Sequence, residues 1–435
     1  MLRFNELYEY GSYFEKSTPL AFSAVSPCAR ERAESCRRGA LGCTTDIVDG
    51  EAWRSLRIRS EECAARLESL EWWLTRPPAE PLKVFVELMD DEASLDTVAL
   101  LEEFSVRLDR CGVHFLFYLK LNRIKTLEPF GTLVSRADEI TLDRCSNLTS
   151  LYGLYGLRYL KHAYFYDCRI TDISALRTCA LLEAVSFCPC PSLTSLDALQ
   201  DLQHLKSVKV WDCPVRSLDA LRMCPSLERV VCRSSQAISL LPLEGLKCLK
   251  EVVFSGGNVV DFDVLHTCTA LEVVDISGAA DLISLDGLRS LPRLRELTIV
   301  RCGITSLDAL HTCDALEELR VHSCSDLTSI EHFKGPPNLK DITIWCCPIT
   351  SIRSLNTCVS LQMVDVTSCP LLLSLDGLGG LPNLEEVRAN RSGITDVAAI
   401  AQCPALRYVD VCDCPQLQSV DVLLERGDVK VVYDK

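Results

Sequence analysis

The chain has 435 residues, 48% of them apolar and 24% charged, enough apolar content for a sizeable core and too much for a disordered chain. Acidic side chains number 60 against 45 basic ones, and the resulting formal charge of −15 is spread along the chain. That argues against a nucleic-acid or anionic-membrane binder, because phosphate recognition needs a concentrated cationic face. No apolar run approaches the ~18–20 residues of a membrane span, so a soluble chain is expected.

Glu6, Glu9 and Glu15 lie near the start, and no continuous apolar stretch follows a basic segment there. The start therefore reads as neither a secretory signal nor a mitochondrial presequence, and a cytoplasmic protein is expected. Residues 1–81 form the first of two expected domains, a cap or extension lacking the repeat that fills residues 82–435. Within it, residues 24–50 are rich in Ser, Arg, Cys and Gly and read as a loop or linker. Trp53, Leu56, Ile58, Cys63, Leu67, Leu70 and Trp73 recur at mostly three- and four-residue spacing, closed by Pro77-Pro78. This spacing predicts an amphipathic helix, and so a helical N-terminal cap over the open core edge. A separate docking module is the functional alternative. Cys28, Cys36, Cys43 and Cys63 lack the close Cys-x₂₋₄-Cys pairs of structural zinc sites, so no metal is assigned to them.

A degenerate strand, Val84-Phe-Val86-Glu-Leu88, followed by a helical-looking Leu95 to Leu108, begins the second part. Weak units follow at Phe117-Tyr-Leu119 and Ala137-Asp-Glu-Ile140-Thr-Leu142. From Leu160 a template L-x-x-L-x-L-x-x-C-x-I-x-x-L-x-x-L repeats in register. Its first leucine falls at 160, 182, 205, 227, 249, 271, 294, 316, 339, 361, 384 and 406, in steps of 22 or 23 residues. With the weaker units this makes about fourteen coils. Leu-x-Leu alternation is the period-2 mark of a strand with one buried face, and the three-residue rhythm of Ile-x-x-Leu-x-x-Leu suits a short 3₁₀ or α segment on the return path. No coil can bury its own leucines, so neighbours must stack on one continuous core. Val429-Lys-Val-Val-Tyr433 reads as a final strand.

These residues resemble the leucine-rich repeat family, over roughly residues 110 to 435. The short 22/23-residue period and the Ile-x-x-Leu-x-x-Leu tail look most like the protein-phosphatase-1 regulatory subunit type. The recurrent Ser-Leu-Asp-Ala/Gly-Leu and the turn cysteine also look like leucine-rich repeat proteins of trypanosomatid protozoa. The resemblance implies an α/β fold: a curved solenoid with a parallel sheet on the concave face and short 3₁₀ or α segments on the convex face. It also implies a phosphatase catalytic subunit as one partner class, without carrying over any contact residue.

Fifteen of the 25 cysteines follow the repeat. Nine occupy the ninth template position: Cys145, Cys168, Cys190, Cys213, Cys302, Cys324, Cys347, Cys369 and Cys414. Six precede the next strand in alternate coils, 44 or 45 residues apart: Cys179, Cys224, Cys268, Cys313, Cys358 and Cys403. They read as buried thiols, those at the ninth position replacing the family's turn asparagine with a weak S–H donor, in a reducing compartment. His266-Thr-Cys268 and His311-Thr-Cys313 look like ligand pairs but lie two coils, about 10 Å, apart, too far to share an ion. No Walker loop, dinucleotide fingerprint, His-Glu-x-x-His or Gly-x-Ser-x-Gly is present, and Asp376-Gly-Leu-Gly-Gly380 is a return segment. No catalytic residue, metal or cofactor is assigned. Asn147-Leu-Thr and Asn390-Arg-Ser match the glycosylation pattern and read as coincidences of polar turns.

By alternation, the third, fifth and seventh template positions point out of the sheet. Two clusters result: Tyr164, Tyr166, Trp211, Arg229 and Arg233; and Arg320, His322, Trp345 and Arg388, the latter interspersed with Glu318, Asp341, Asp365 and Glu386. Trp, Tyr and Arg dominate protein interfaces, and the mixed charge suits a folded protein better than nucleic acid or a membrane. The expectation is a non-enzymatic scaffold binding a protein partner on the concave sheet. The alternatives are a substrate-recognition subunit of a ubiquitin ligase or a phosphatase regulatory subunit.

Overall fold

A computed structural model describes residues 44–48, 51–59, 82–89, 114–121, 124–130, 134–233 and 236–434, with the backbone course alone fixed before Leu116. Among them, eighteen strands join one sheet. Thr44–Val48 pairs antiparallel with Glu51–Arg59. Every later pairing in that sheet is parallel, through Leu82–Met89 and His114–Lys120 and on, one strand per coil, to Lys430–Val432. The degenerate strand at Val84 and the closing strand are thus both in the ladder.

The helical reading of residues 53–73 is corrected where it is described, because Glu51–Arg59 is a strand. The three-residue step from Trp53 to Leu56 suggested a helix. Leu56-Arg57-Ile58-Arg59, however, alternates with period 2, and parallel pairing with Leu82–Met89 satisfies its backbone. Thr44–Val48 likewise falls in a stretch expected to be loop. The rest of residues 1–81 and the helical-looking 95–108 lie outside the described residues.

One coil shows how the template builds the core. Leu294, Leu297, Ile299, Cys302, Ile304, Leu307 and Leu310 are all at most 3% exposed. Leu297 and Ile299 face inward from strand Glu296–Val300, and the others close the loop behind it. The return path is the 3₁₀ turn Asp308–Thr312, opened by Ser306, whose Oγ accepts the Asp308 N–H at 3.0 Å. The same Ser-to-Asp bond recurs at 195/197, 217/219, 284/286 and 374/376, which explains the recurrent Ser-Leu-Asp. Strands are thinner than these return segments, so the stack curves with the sheet inside.

The eighth template position is a left-handed turn. Nine non-glycine residues there, among them Arg301, Ser323 and Cys346, have φ of 51° to 57°. Such a conformation costs ~1–2 kcal/mol. It aims each N–H at the next coil: Arg301 at the His322 carbonyl and Ser323 at the Trp345 carbonyl, both 2.8 Å.

The cysteines then lock coil to coil. Ninth-position Cys213 donates to Phe187 O at 3.4 Å in the preceding coil and accepts the Cys190 N–H at 3.3 Å. In the alternate coils Cys224, Cys268, Cys313 and Cys403 donate back to the carbonyls of Leu199, Leu243, Leu288 and Leu378 at 3.0–3.3 Å. All twenty described cysteines are free thiols. Ser392 stands in the ninth position of one coil and does the same job, donating to Val366 O at 2.7 Å and accepting the Cys369 N–H at 3.1 Å. The hydroxyl of the Asn390 acceptor pattern is therefore a buried structural group.

Candidate binding face of the sheet

Parallel register fixes where each outward side chain stands. Trp211 lies beside Arg233, and His322 beside Trp345. Trp211 and Trp345 are six strands apart, about 29 Å at ~4.8 Å per step. The structure therefore keeps the two expected clusters as separate patches. Between them the face carries smaller groups, including Val231 and Val300, which are 8% and 7% exposed.

In the first patch, Tyr164 is half-buried and stacks on His162 with ring centroids 6.3 Å apart, while Tyr166 is exposed. Burial, then the charge of Glu139, pushes the Tyr164 hydroxyl well above its usual range, so it remains a neutral donor. Strand Ala184–Phe187 separates these tyrosines from Trp211, so the patch is not continuous aromatic surface. Trp211 holds two cations: Lys209 Nζ at 5.1 Å and the Arg233 guanidinium at 5.2 Å from the ring. Arg229 is committed elsewhere, its Nε and Nη2 at 2.7 and 2.6 Å from Glu251 Oε2.

In the second patch, the His322 and Trp345 rings meet edge to face at 5.4 Å. Burial, reinforced by Arg320, lowers the His322 pKa, which keeps the ring neutral. Arg320 pairs with Glu318 in the same strand. Arg388 stands two strands beyond Trp345 and pairs with Glu386 at 2.5 Å. Both arginines are embedded among carboxylates. From Glu251 to Asp410 the outward positions hold eight carboxylates, at 251, 275, 296, 318, 341, 365, 386 and 410, against these two arginines. Burial holds Asp275 near pH 6 despite Arg320, with Glu251 adding to the effect, and burial also raises Asp341.

Three features escaped the sequence reading. Lys209 as the partner of Trp211 is one; the i, i+2 spacing of the two on one strand was the available signal. A rim of alternating charge runs along the second template position, with Lys206–Glu183 and Lys250–Glu228 at 2.8 Å and Lys340–Glu317 at 2.6 Å. Each lysine holds its carboxylate at 183 and 317 below the usual range. These pairs are exposed and individually weak. Their signal was the Lys/Glu alternation coil by coil. Tyr152 and Tyr155, on the return side, are both exposed and contact each other edge to face at 5.5 Å.

Among the described residues no group of three or more His, Cys, Asp or Glu side chains is arranged to hold a metal ion, and no helix is long and apolar enough to cross a membrane.

No protein-family model matches the sequence, and neither does any curated protein. Among solved structures, a leucine-rich repeat protein of Leptospira interrogans aligns over 81% of this chain and 89% of its own, at 12% identity and a TM-score of 0.64. An internalin of Listeria monocytogenes aligns more loosely, over 74% and 81%, at 15% identity and a TM-score of 0.46. The first likeness, with the ladder described above, establishes the fold.

Proposed function

We propose, from the premise that this chain folds as a leucine-rich repeat solenoid, that it is a non-enzymatic scaffold binding a protein partner on its concave sheet. One observation carries this reading. Tyr166 and Trp345 are 39% and 36% exposed on a sheet whose inward apolar residues are buried from Phe117 to Val411. Large rings held in water on a rigid face are costly to hydrate and are recovered on burial against a partner. The repeat core can vary little, whereas the outward positions differ from coil to coil, as recognition requires. Free thiols lining the core support a reducing, cytoplasmic setting. Residues 1–81 would close the N-terminal end of the stack.

The test is affinity capture with the full-length chain carrying Trp211→Ala or Trp345→Ala. The expected result is partner recovery reduced about tenfold or more by at least one variant, with unchanged thermal unfolding. Undiminished recovery by both variants would remove the face from the account.

A further inference from the structure

We infer, building on the proposed scaffold reading, that Trp211 with Lys209 and Arg233 is the docking point for an acidic segment of the protein partner. Lys209 and Trp211 project from the same face of strand Ser207–Trp211, and Arg233 stands in register beside Trp211 on the next strand. One ring thus gathers two cations, each about 5 Å from its centroid. Two like charges on one aromatic ring repel each other, and an anion set between them relieves that repulsion while gaining two charge-assisted contacts.

The local carboxylates do not fill that place. Glu139 faces His162 at 3.7 Å, Asp143 accepts the Tyr118 hydroxyl at 2.5 Å, and Glu251 is held by Arg229. Lys209 forms no ion pair among the described residues. Arg233 has Asp212 at 3.7 Å, a pair about half exposed on both sides and weak for that reason.

The rest of the face selects the class of anion. From Glu251 onward the face carries eight carboxylates and two arginines, a field that repels an extended polyanion and confines a short acidic stretch to the N-terminal half. A nucleic acid, with its regular phosphate spacing, would need a cationic track that this face does not provide. Tyr166 lies two strands from Trp211, about 10 Å, which an extended peptide covers in three residues. The segment is therefore acidic, with an aliphatic or aromatic side chain three positions from the carboxylate that meets Lys209 and Arg233.

The probe is a fluorescein-labelled peptide repeating Glu-Glu-Leu-Leu, which sets a leucine three positions after a glutamate, titrated by anisotropy at low salt against the full-length protein. A lysine counterpart and a single-stranded oligonucleotide are the comparators. The acidic peptide is expected to bind, to weaken as salt rises, and to bind about tenfold more weakly to Lys209→Gln/Arg233→Gln, whose thermal unfolding is unchanged. Failure of the acidic peptide to bind, equal binding by the double variant, or equally tight oligonucleotide binding each overturns the inference. Partner capture that survives the double variant but is lost in Trp345→Ala would overturn this inference alone and leave the scaffold reading in place.

Discussion

Cys213 and Cys190 are joined across a coil boundary: the Cys213 thiol accepts the Cys190 backbone N–H at 3.3 Å while donating to the Phe187 carbonyl at 3.4 Å. The thiol is 3% exposed, so no water replaces it. Cys213→Ala leaves the buried Cys190 N–H without its acceptor and should cost about 2 kcal/mol, read as a lower urea midpoint. Cys213→Ser should cost less than half of that, because Ser392 already fills the equivalent place with the same two bonds. Equal losses for both variants would mean the thiol acts only as packing.

Gly377 explains why some coils read Asp-Gly-Leu and others Asp-Ala-Leu. A Cβ added there would stand 1.9 Å from the Ile352 carbonyl oxygen of the preceding coil. Because backbone must move, Gly377→Ala should destabilise by about 2 kcal/mol. An unchanged urea midpoint would show that the coils can slide apart at no cost, contrary to the packing described.

Asp275 makes stability depend on pH in an unusual direction. Burial holds its carboxyl near pH 6 in the folded chain, with Arg320 opposing and Glu251 adding to the effect, against 3.8 for an ordinary Asp. A raised carboxyl pKa favours the folded state below the unfolded value, and that contribution is lost as pH rises from about 4 through 6. At about 1.4 kcal/mol per pH unit the loss is about 3 kcal/mol by pH 7. Asp275→Asn should therefore raise stability at pH 7 and flatten the decline between pH 4 and 6, measured by urea unfolding across that range. A variant with the same pH profile as the wild type would refute the assignment.

Much of this architecture is legible in the sequence, because a single register of leucines repeats often enough to outweigh local ambiguity. The strands, the buried cysteine ladders and the 3₁₀ returns all follow from template position. Residues 53–59 misled because three apolar residues fit a helical spacing as well as a strand, and only pairing with a distant strand decides between them. The left-handed eighth position was invisible because Arg, Asp, Ser and Cys occupy it more often than Gly, and its cost is met by a bond to the next coil. Alternation gave the membership of the face but not its internal commitments. Nothing local to Arg229 says that Glu251, one coil on, takes its guanidinium, or that Lys209 turns to Trp211.

Hydroxyl-radical footprinting of the full-length chain, free and with its captured partner, tests the central claim most directly. Tyr166, Trp211 and Trp345 on the sheet face should lose reactivity in the complex, while Tyr152 and Tyr155 on the return side stay as reactive as in the free protein. Protection of Tyr152 and Tyr155 with the three sheet residues unchanged would place the partner on the opposite side and contradict the account.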